Sequence, residues 1–313
     1  MTLGAARPGI SGMPPRFPLH LWLSIVCLLL TACSPAKKAV TVQTEVESPG
    51  AYGLELRLWP IDNPPASLAR ALTGFDQSAS PIDRKSFERL SASGLRALVV
   101  PASDLDEIAS RLHFDGKIEK QSARERSDWS VFVAGKAWSG YVTLRTADGN
   151  LALRAGQLRL VGRAWIAPGA MGEDKIPAVL RIELAGRHVE SRDSYGKLEE
   201  ILNPAVQRPG DLQGLALPSL GLSIELQAGQ ALLLIPEDPD LDWDKAARLP
   251  NYIEKEPEKN EQEAQSQLVG PAIPKTATLG QALLSDALTE FEPRHRAILV
   301  LVPRLPAEFR LVK

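Results

Sequence analysis

The sequence predicts an α+β protein in which a small N-terminal α+β module precedes an antiparallel, β-rich domain. The apolar residues between 52 and about 116 follow helical spacing in three segments and strand spacing in two. From Trp129 onward they alternate with polar residues, which is typical of strands that bury one face. Repeated strands of this kind favour a sandwich or a meander. We therefore place the module at 52–127 and the β-rich domain at 128–313.

Each element of the module is predicted from a local pattern. A half-buried first strand is predicted by the alternation in Leu54, Glu55, Leu56, Arg57 and Leu58. A first helix is predicted by four apolar residues on one face, Leu68, Ala71, Leu72 and Phe75. A second helix is expected between Ser80, as its N-cap, and Gly94, as its left-handed C-cap. A buried strand over 95–100 and a third helix that opens at Ser103 complete the module.

The β-rich domain is predicted from alternating pairs of apolar residues, among them Val131 and Val133, Val142 and Leu144, Leu158 and Leu160, Leu180 and Ile182, and Leu222 and Ile224. A hairpin turn is expected at Asp148-Gly149-Asn150, because Gly and Asn tolerate positive φ. The prolines and charged residues of about 237–275 predict a disordered or solvated acidic loop. The five aliphatic residues over 298–302 predict a strand that is covered on both faces.

The N-terminus carries an export signal. An apolar run over 19–30 follows a basic, proline-rich head and ends in Leu30-Thr31-Ala32-Cys33. A helix that crosses a bilayer needs about twenty apolar residues, so the run is too short to be a stable span. We therefore predict that 1–32 is a signal peptide. Translation starts at Met1 or at Met13, which would give a signal peptide of more usual length.

Leu30-Thr31-Ala32-Cys33 resembles the lipobox of bacterial lipoproteins at all four positions. The resemblance implies cleavage between Ala32 and Cys33, attachment of fatty chains such as palmitate at Cys33, and anchoring to a membrane surface facing the periplasm. Ser34, rather than Asp, resembles lipoproteins that are sorted to an outer membrane. An ordinary signal peptide and an uncleaved anchor are the alternatives.

The segment 33–51 connects this anchor to the folded region. It mixes Pro, Ala, Lys, Ser, Thr and Glu without a helical apolar stripe, which predicts a flexible tether. A coil of this length spans roughly 25 Å, which would lift a domain off the membrane. An additional edge strand over 40–42 is the alternative.

The sequence predicts no catalytic residue, no metal ligand and no cofactor. Its four histidines have no ligand spacing, and no nucleophile or phosphate-binding motif is present. Cys27 and Cys33 leave no thiol for a mature site. The alternating carboxylates at Asp238, Asp240, Asp242 and Asp244 form a solvated acidic loop or a weak cation site that departs from the EF-hand pattern. A net charge of −2 and scattered aromatic residues predict no binding of nucleic acid.

Three segments between about 220 and 305 resemble the C-terminal domain of the secretin family. They are Gly229 to Ile235, the Ala272-Ile273-Pro274 and Leu279-Gly280 pieces, and Ile298 to Val302 with the Pro303-Arg304-Leu305 that follows. A secretin has a Gly-Gly pair where this chain has Ile235-Pro236, and an acidic insertion separates the segments. The resemblance implies a related sheet scaffold rather than a pore.

Together these features predict a lipid-anchored, non-enzymatic protein of the cell envelope, either a structural component or an assembly component of a secretion or pilus machine. Two other functions remain open from the sequence alone. One is a periplasmic solute- or polysaccharide-binding lipoprotein, and the other is a hydrolase that uses dispersed carboxylates.

The lipobox leads to a first prediction. In the Cys33→Ser variant the sulfur that carries the lipid is missing, so radiolabelled palmitate should no longer enter the protein and the uncleaved precursor should accumulate. Labelling followed by electrophoresis measures both effects, with Cys27→Ser as the control that keeps labelling. Processing and membrane attachment that persist in Cys33→Ser would contradict the lipid anchor.

Overall fold

Antiparallel strands form the framework of the protein. The computed structural model describes residues 52–75, 81–121, 125–170, 176–191, 213–248, 276–288 and 295–309. The strands are β1 (Gly53–Ile61), β2 (Leu95–Pro101), β3 (Glu119–Gln121), β4 (Arg126–Ala134), β5 (Val142–Thr146), β6 (Gly149–Leu153), β7 (Gly156–Pro168), β8 (Ala178–Glu190), β9 (Leu215–Leu226), β10 (Gln230–Pro236) and β11 (Arg296–Arg304). The helices are α1 (Pro65–Leu72), α2 (Arg84–Ala92), α3 (Leu105–Ser110), α4 (Trp243–Arg248) and α5 (Leu279–Leu284), and a 3₁₀ turn (Ala102–Asp104) precedes α3.

The strands are arranged in two sheets and one hairpin. A five-stranded sheet has the order β2-β10-β11-β1-β3, and a four-stranded sheet has the order β4-β7-β8-β9. All of the strand pairs within these sheets are antiparallel. The hairpin β5-β6 turns at the predicted position, where Gly149 has a φ of 114°. The predicted α+β class with a β-rich domain is therefore confirmed.

The five-stranded sheet is covered on both faces. One face shares a hydrophobic core with the four-stranded sheet and α5, and the other packs against α1, α3 and α4. Strand β11 shows why: Leu299 and Leu301 belong to the first core, whereas Ile298, Val300 and Val302 belong to the second. A strand in this position must be apolar throughout, as its sequence predicted.

Local signals predicted some features of the helices correctly, although the third helix begins at Leu105, after a 3₁₀ turn, rather than at Ser103. The first helix buries the predicted apolar face, and Gly94 ends α2 with a φ of 77°. The start of α2 differs from the prediction, because Asp83 is the N-cap and its carboxylate accepts a hydrogen bond from the backbone of Ser86. Ser80 lies outside the described residues. Carboxylates are strong N-caps, so the one nearest the helix takes this position.

The first strand departs from the prediction that it is half-buried. Glu55 is only 4% exposed, since its carboxylate lies on the face that the helices cover. It accepts hydrogen bonds from Arg57 and from Arg304, which lies on the neighbouring β11. Burial alone would raise the pKa of Glu55, but these hydrogen bonds outweigh it and the pKa lies below its usual value. Local alternation could not reveal Arg304, which is far away in the chain.

The strands do not follow the predicted division at residue 127. Strand β1 of the predicted module pairs with β11 of the predicted second domain, and β2 pairs with β10, while β3 pairs with β1. Residues on both sides of the division contribute to the same two hydrophobic cores. The segment 52–127 therefore has no separate sheet, because β10 and β11 lie between β2 and β1.

The beginning of the predicted acidic loop is also ordered, in contrast to the prediction for 237–275. Glu237 is 3% exposed and accepts hydrogen bonds from Arg96 (2.6 and 3.1 Å) and from the Ser91 hydroxyl (3.0 Å). Helix α4 follows, with Trp243 buried against the guanidinium of Arg96 at 4.4 Å. Tertiary pairing explains this order, because a buried arginine neutralises a carboxylate that would otherwise favour solvent.

Several other predictions fall on residues that are not described. They are the signal peptide 1–32, the tether 33–51 and the remainder of the acidic loop, 249–275. Of the segments that resemble a secretin, those in β10 and β11 are neighbours in the sheet, and α5 packs against both strands. Ala272, Ile273 and Pro274 lie outside the described residues.

The buried pair of Arg96 and Glu237 leads to a second prediction. Glu237→Ala removes the partner of a guanidinium whose side chain is 14% exposed, so the free energy of unfolding should fall by about 3–5 kcal/mol. Urea denaturation measures this change. Glu107→Ala is the matched control, because its pair with Arg111 is exposed and should contribute less than about 1 kcal/mol. Equal effects of the two substitutions would contradict a structural role for the buried pair.

Candidate binding surface

The four-stranded sheet presents a polar and aromatic surface on the side opposite its hydrophobic core. Along β7, the buried Leu158, Leu160 and Ala164 alternate with side chains that are partly exposed. We call this surface the outer face. It is formed by Trp129, Gln157, Arg159, Arg163, Trp165, Arg181, Glu183, Arg187, Ser223 and Glu225.

The centre of the outer face is an arginine between two tryptophans. The guanidinium of Arg163 lies 5.2 Å from the ring centroid of Trp129 and 5.2 Å from that of Trp165. It also forms a 2.7 Å ion pair with Glu183 on the neighbouring strand β8. Cation–π contacts and the ion pair hold these side chains in fixed positions across three strands. The result is a rigid aromatic and charged surface that remains accessible.

An open groove of about 340 Å³ extends from Trp129 across the sheet to α2. Its walls include Glu183 and Ser223 from the sheet and Asp83, Ser86 and Arg89 from the helix region. Arg89 is fixed in place because it donates a 2.6 Å hydrogen bond to the carbonyl of Gly221. Both carboxylates have structural partners, since Asp83 caps α2 and Glu183 binds Arg163.

Local patterns in the sequence do not predict this surface. The aromatic residues are scattered along the chain, whereas the fold brings Trp129 and Trp165 onto one arginine. The detectable signal was the odd-numbered series in β7, which places Arg159, Arg163 and Trp165 on one side of the strand. The partner in β4 could not be recognised, because a register shift separates Arg126 from Ser130 in the pairing with β7.

No family model, no curated protein and no solved structure matches the chain.

The predicted lipidation and cleavage positions, Cys33 and Ala32, lie outside the described residues. Within the described part of the chain, no helix combines the length and the apolar character that crossing a membrane requires.

The acidic residues after β10 form hydrogen bonds in the turn and the helix that follow. Asp238 accepts a hydrogen bond from the backbone of Asp240, and Asp242 accepts one from the backbone of Lys245 in α4. Asp240 forms a 2.7 Å ion pair with Arg145. In the ranges that the structure describes, no group of three or more His, Cys, Asp or Glu side chains is placed to hold a metal ion.

The described histidines occupy three different positions in the fold. His113 is exposed, and its backbone donates to the side chain of Asn63. The imidazole of His295 contacts the carboxylate of Asp115, and His20 lies outside the described residues. His188 is buried, at 1% exposure. The alternation of Leu180, Ile182 and Leu184 extends to His188 and could have indicated its burial.

His188 fills an interior position and does not line the groove. Its ring stacks on Trp138 with a centroid distance of 5.2 Å. A Cβ atom at Gly156 would lie 2.4 Å from the Nε2 atom, so the strand leaves no room beside the ring. That nitrogen has no hydrogen-bond partner among the described residues, and desolvation lowers the pKa of His188.

The lowered pKa leads to a third prediction. The unfolded chain binds a proton near pH 6.5, whereas folded His188 resists protonation, so stability should be complete above about pH 6.5 and decrease as the pH falls below it. Urea denaturation between about pH 7.5 and about pH 5 measures this slope. His188→Gln should make the slope shallower than that of the wild type. An identical slope in His188→Gln would contradict the prediction.

Proposed function

We propose that this protein is a lipid-anchored, non-enzymatic component of the cell envelope that binds a partner protein through its outer face. The observation that carries the proposal is the arrangement of Arg163 between Trp129 and Trp165. Tryptophan and arginine dominate the binding energy of protein interfaces. Side chains that are already fixed in the free protein lose little conformational entropy when a partner binds.

The membrane part of the proposal is supported by the sequence. The lipobox ending in Cys33 supports a lipid anchor, and the tether 33–51 would give the folded region access to partners at the membrane surface. Ser34 supports an outer-membrane position facing the periplasm. The secretin-like segments support a partner in a secretion or pilus machine, with a role in its structure or assembly.

A second candidate function is the binding of a polysaccharide in the groove beside Trp129. The groove combines an aromatic ring with carboxylate and hydroxyl groups, which are the side chains of Glu183, Asp83, Ser86 and Ser223. An aromatic face packs against the apolar side of a sugar ring, while the polar groups bind its hydroxyls. A rise in the unfolding temperature with soluble oligosaccharides would favour this function.

Crosslinking in intact cells provides the fourth prediction. The full-length protein should form a crosslinked adduct with another envelope protein, identified by mass spectrometry. Replacing Trp129 and Trp165 together by alanine should reduce the adduct by about tenfold or more, because interface tryptophans often contribute about 2 kcal/mol or more each. The control is Tyr141→Ala, since Tyr141 is a 77% exposed aromatic outside the outer face.

Recovery of wild-type protein only as a free monomer would contradict the proposed partner. Circular dichroism of each variant distinguishes a lost interface from a lost fold. The Cys33→Ser variant separates the two parts of the proposal. Processing and membrane attachment that persist in this variant would exclude the lipid anchor, whereas the adduct reports on the interface alone.

A further inference from the structure

Two arginines lie directly opposite each other on the outer face. Arg159 on β7 pairs with Arg187 on β8, within a stretch of thirteen consecutive residue pairs. Both point away from the core, because their neighbours Leu158, Leu160 and His188 are buried on the other side. Like charges that face each other across antiparallel strands destabilise a sheet. This pair therefore needs a source of negative charge.

Each of the other two arginines of the outer face is paired with a carboxylate. Arg163 pairs with Glu183 at 2.7 Å, and Arg181 pairs with Glu225 at 2.8 Å. By contrast, no carboxylate of the described residues lies within 4 Å of either Arg159 or Arg187. The outer face thus consists of a charge-balanced half and a half with two positive charges that no carboxylate of the described residues balances.

The surroundings of the pair are small and neutral. Ala134 and Ala216 are the cross-strand neighbours of Arg159 and Arg187 on their outer sides, and Ala185 lies two residues before Arg187. Alanine side chains fill little of the space above a sheet, which leaves room beside the guanidinium groups.

The hydrogen bonds of the pair leave donors unused. Arg159 donates from Nε to the side-chain oxygen of Gln157 (3.3 Å), and Gln157 is itself anchored to the carbonyl of Gly135 (2.8 Å). No other described atom accepts a hydrogen bond from Arg159. The Nε atom of Arg187 is buried and has no hydrogen-bond partner within the described ranges. A buried donor without an acceptor lowers the stability of the fold by about 1–3 kcal/mol. A bound anion would offset this cost by accepting a hydrogen bond from the guanidinium.

We propose that Arg159 and Arg187 form a binding site for a phosphate group. A phosphate carries up to two negative charges and has at least two free oxygens, so it can accept from both guanidinium forks at once. The two oxygens of a carboxylate lie in one plane on a single carbon and suit a single fork, whereas phosphate oxygens are arranged tetrahedrally and can face two forks. The site goes beyond the proposed envelope function, because it requires neither the lipid anchor nor the protein partner. The phosphate comes from a soluble ion or from a phospholipid headgroup, which share this chemistry.

Phosphate binding to the full-length protein in nonionic detergent tests the proposal. Calorimetric titration with inorganic phosphate should give a saturable isotherm, and the unfolding temperature should rise more than in chloride of equal ionic strength. Arg159→Gln and Arg187→Gln should each weaken binding about tenfold or more, because each removes charge-assisted hydrogen bonds. Arg181→Gln, on the same strand but already paired with Glu225, should bind like the wild type.

The unfolding temperature without phosphate shows whether a variant has lost phosphate binding only because it fails to fold. Without phosphate and at low salt, Arg187→Gln should unfold at a higher temperature than the wild type, because the like-charge contact is gone. Phosphate also stabilises proteins by exclusion from their surface, so only the part of the rise that both Gln variants lose supports the site. An equal rise in wild type and both variants would overturn the proposal, as would a wild type that binds acetate as tightly as phosphate.

The source of the phosphate is distinguished by comparing two probes. Inorganic phosphate represents the soluble ion, and glycerophosphoglycerol represents a phospholipid headgroup. If inorganic phosphate binds more tightly, and Arg187→Gln weakens its binding, the ligand is a soluble phosphate. If glycerophosphoglycerol binds more tightly, and Arg187→Gln weakens its binding, the ligand is a lipid headgroup. Binding of either probe that Arg159→Gln and Arg187→Gln leave unchanged contradicts the site.

Discussion

The antiparallel pairing of β1 with β11 is the interaction on which the rest of the structure depends. Nine residue pairs join them, from Gly53 with Arg304 to Ile61 with Arg296. This pairing brings together strands about 240 residues apart, so the entropy of closing a long loop opposes it. Burial of both strands on two faces offsets that cost, since the two hydrophobic cores meet at this sheet. Strands β10 and β3 then find their places beside the central pair.

Two buried carboxylates help to fix this arrangement. Glu55 depends on Arg304 of β11, and Glu237 depends on Arg96 of β2. A slip of one residue between β1 and β11 would move Arg304 to the other face and leave Glu55 unpaired in the interior. Buried ion pairs contribute little net stability relative to apolar residues, but an unpaired buried charge is strongly unfavourable. These pairs therefore discriminate against incorrect strand registers more than they stabilise the correct one.

On the outer face, in contrast to the interior, some charged side chains of the described residues are paired and others are not. Its central half is internally neutral and organised around Arg163, the residue on which the proposed partner interface rests. Its other half holds Arg159 and Arg187 without a compensating carboxylate among the described residues. A rigid sheet can maintain such a contrast because its register fixes the side chains at constant spacing. Binding of a protein and binding of a phosphate would then use adjacent but separate parts of one surface.

The sequence by itself determined the local elements. Apolar spacing and turn residues predicted α1, the β5-β6 hairpin and the double-sided burial of β11, because these depend on neighbours within a few residues. The lipobox likewise depends on four adjacent residues, and it remains a prediction. Nothing local could show that the strands of 52–127 and 128–313 share a sheet, since pairing over long separations is decided by which surfaces bury each other.

The candidate binding surface was determined almost entirely by the tertiary structure. Alternation placed Arg159, Arg163 and Trp165 on one side of β7, but it could not reveal which strands lie next to it. The neighbours decide the chemistry: Glu183 neutralises Arg163, Trp129 stacks on it, and Arg187 opposes Arg159. The order of strands in the sheet, together with the register between them, therefore determined where charge is balanced and where no carboxylate of the described residues balances it.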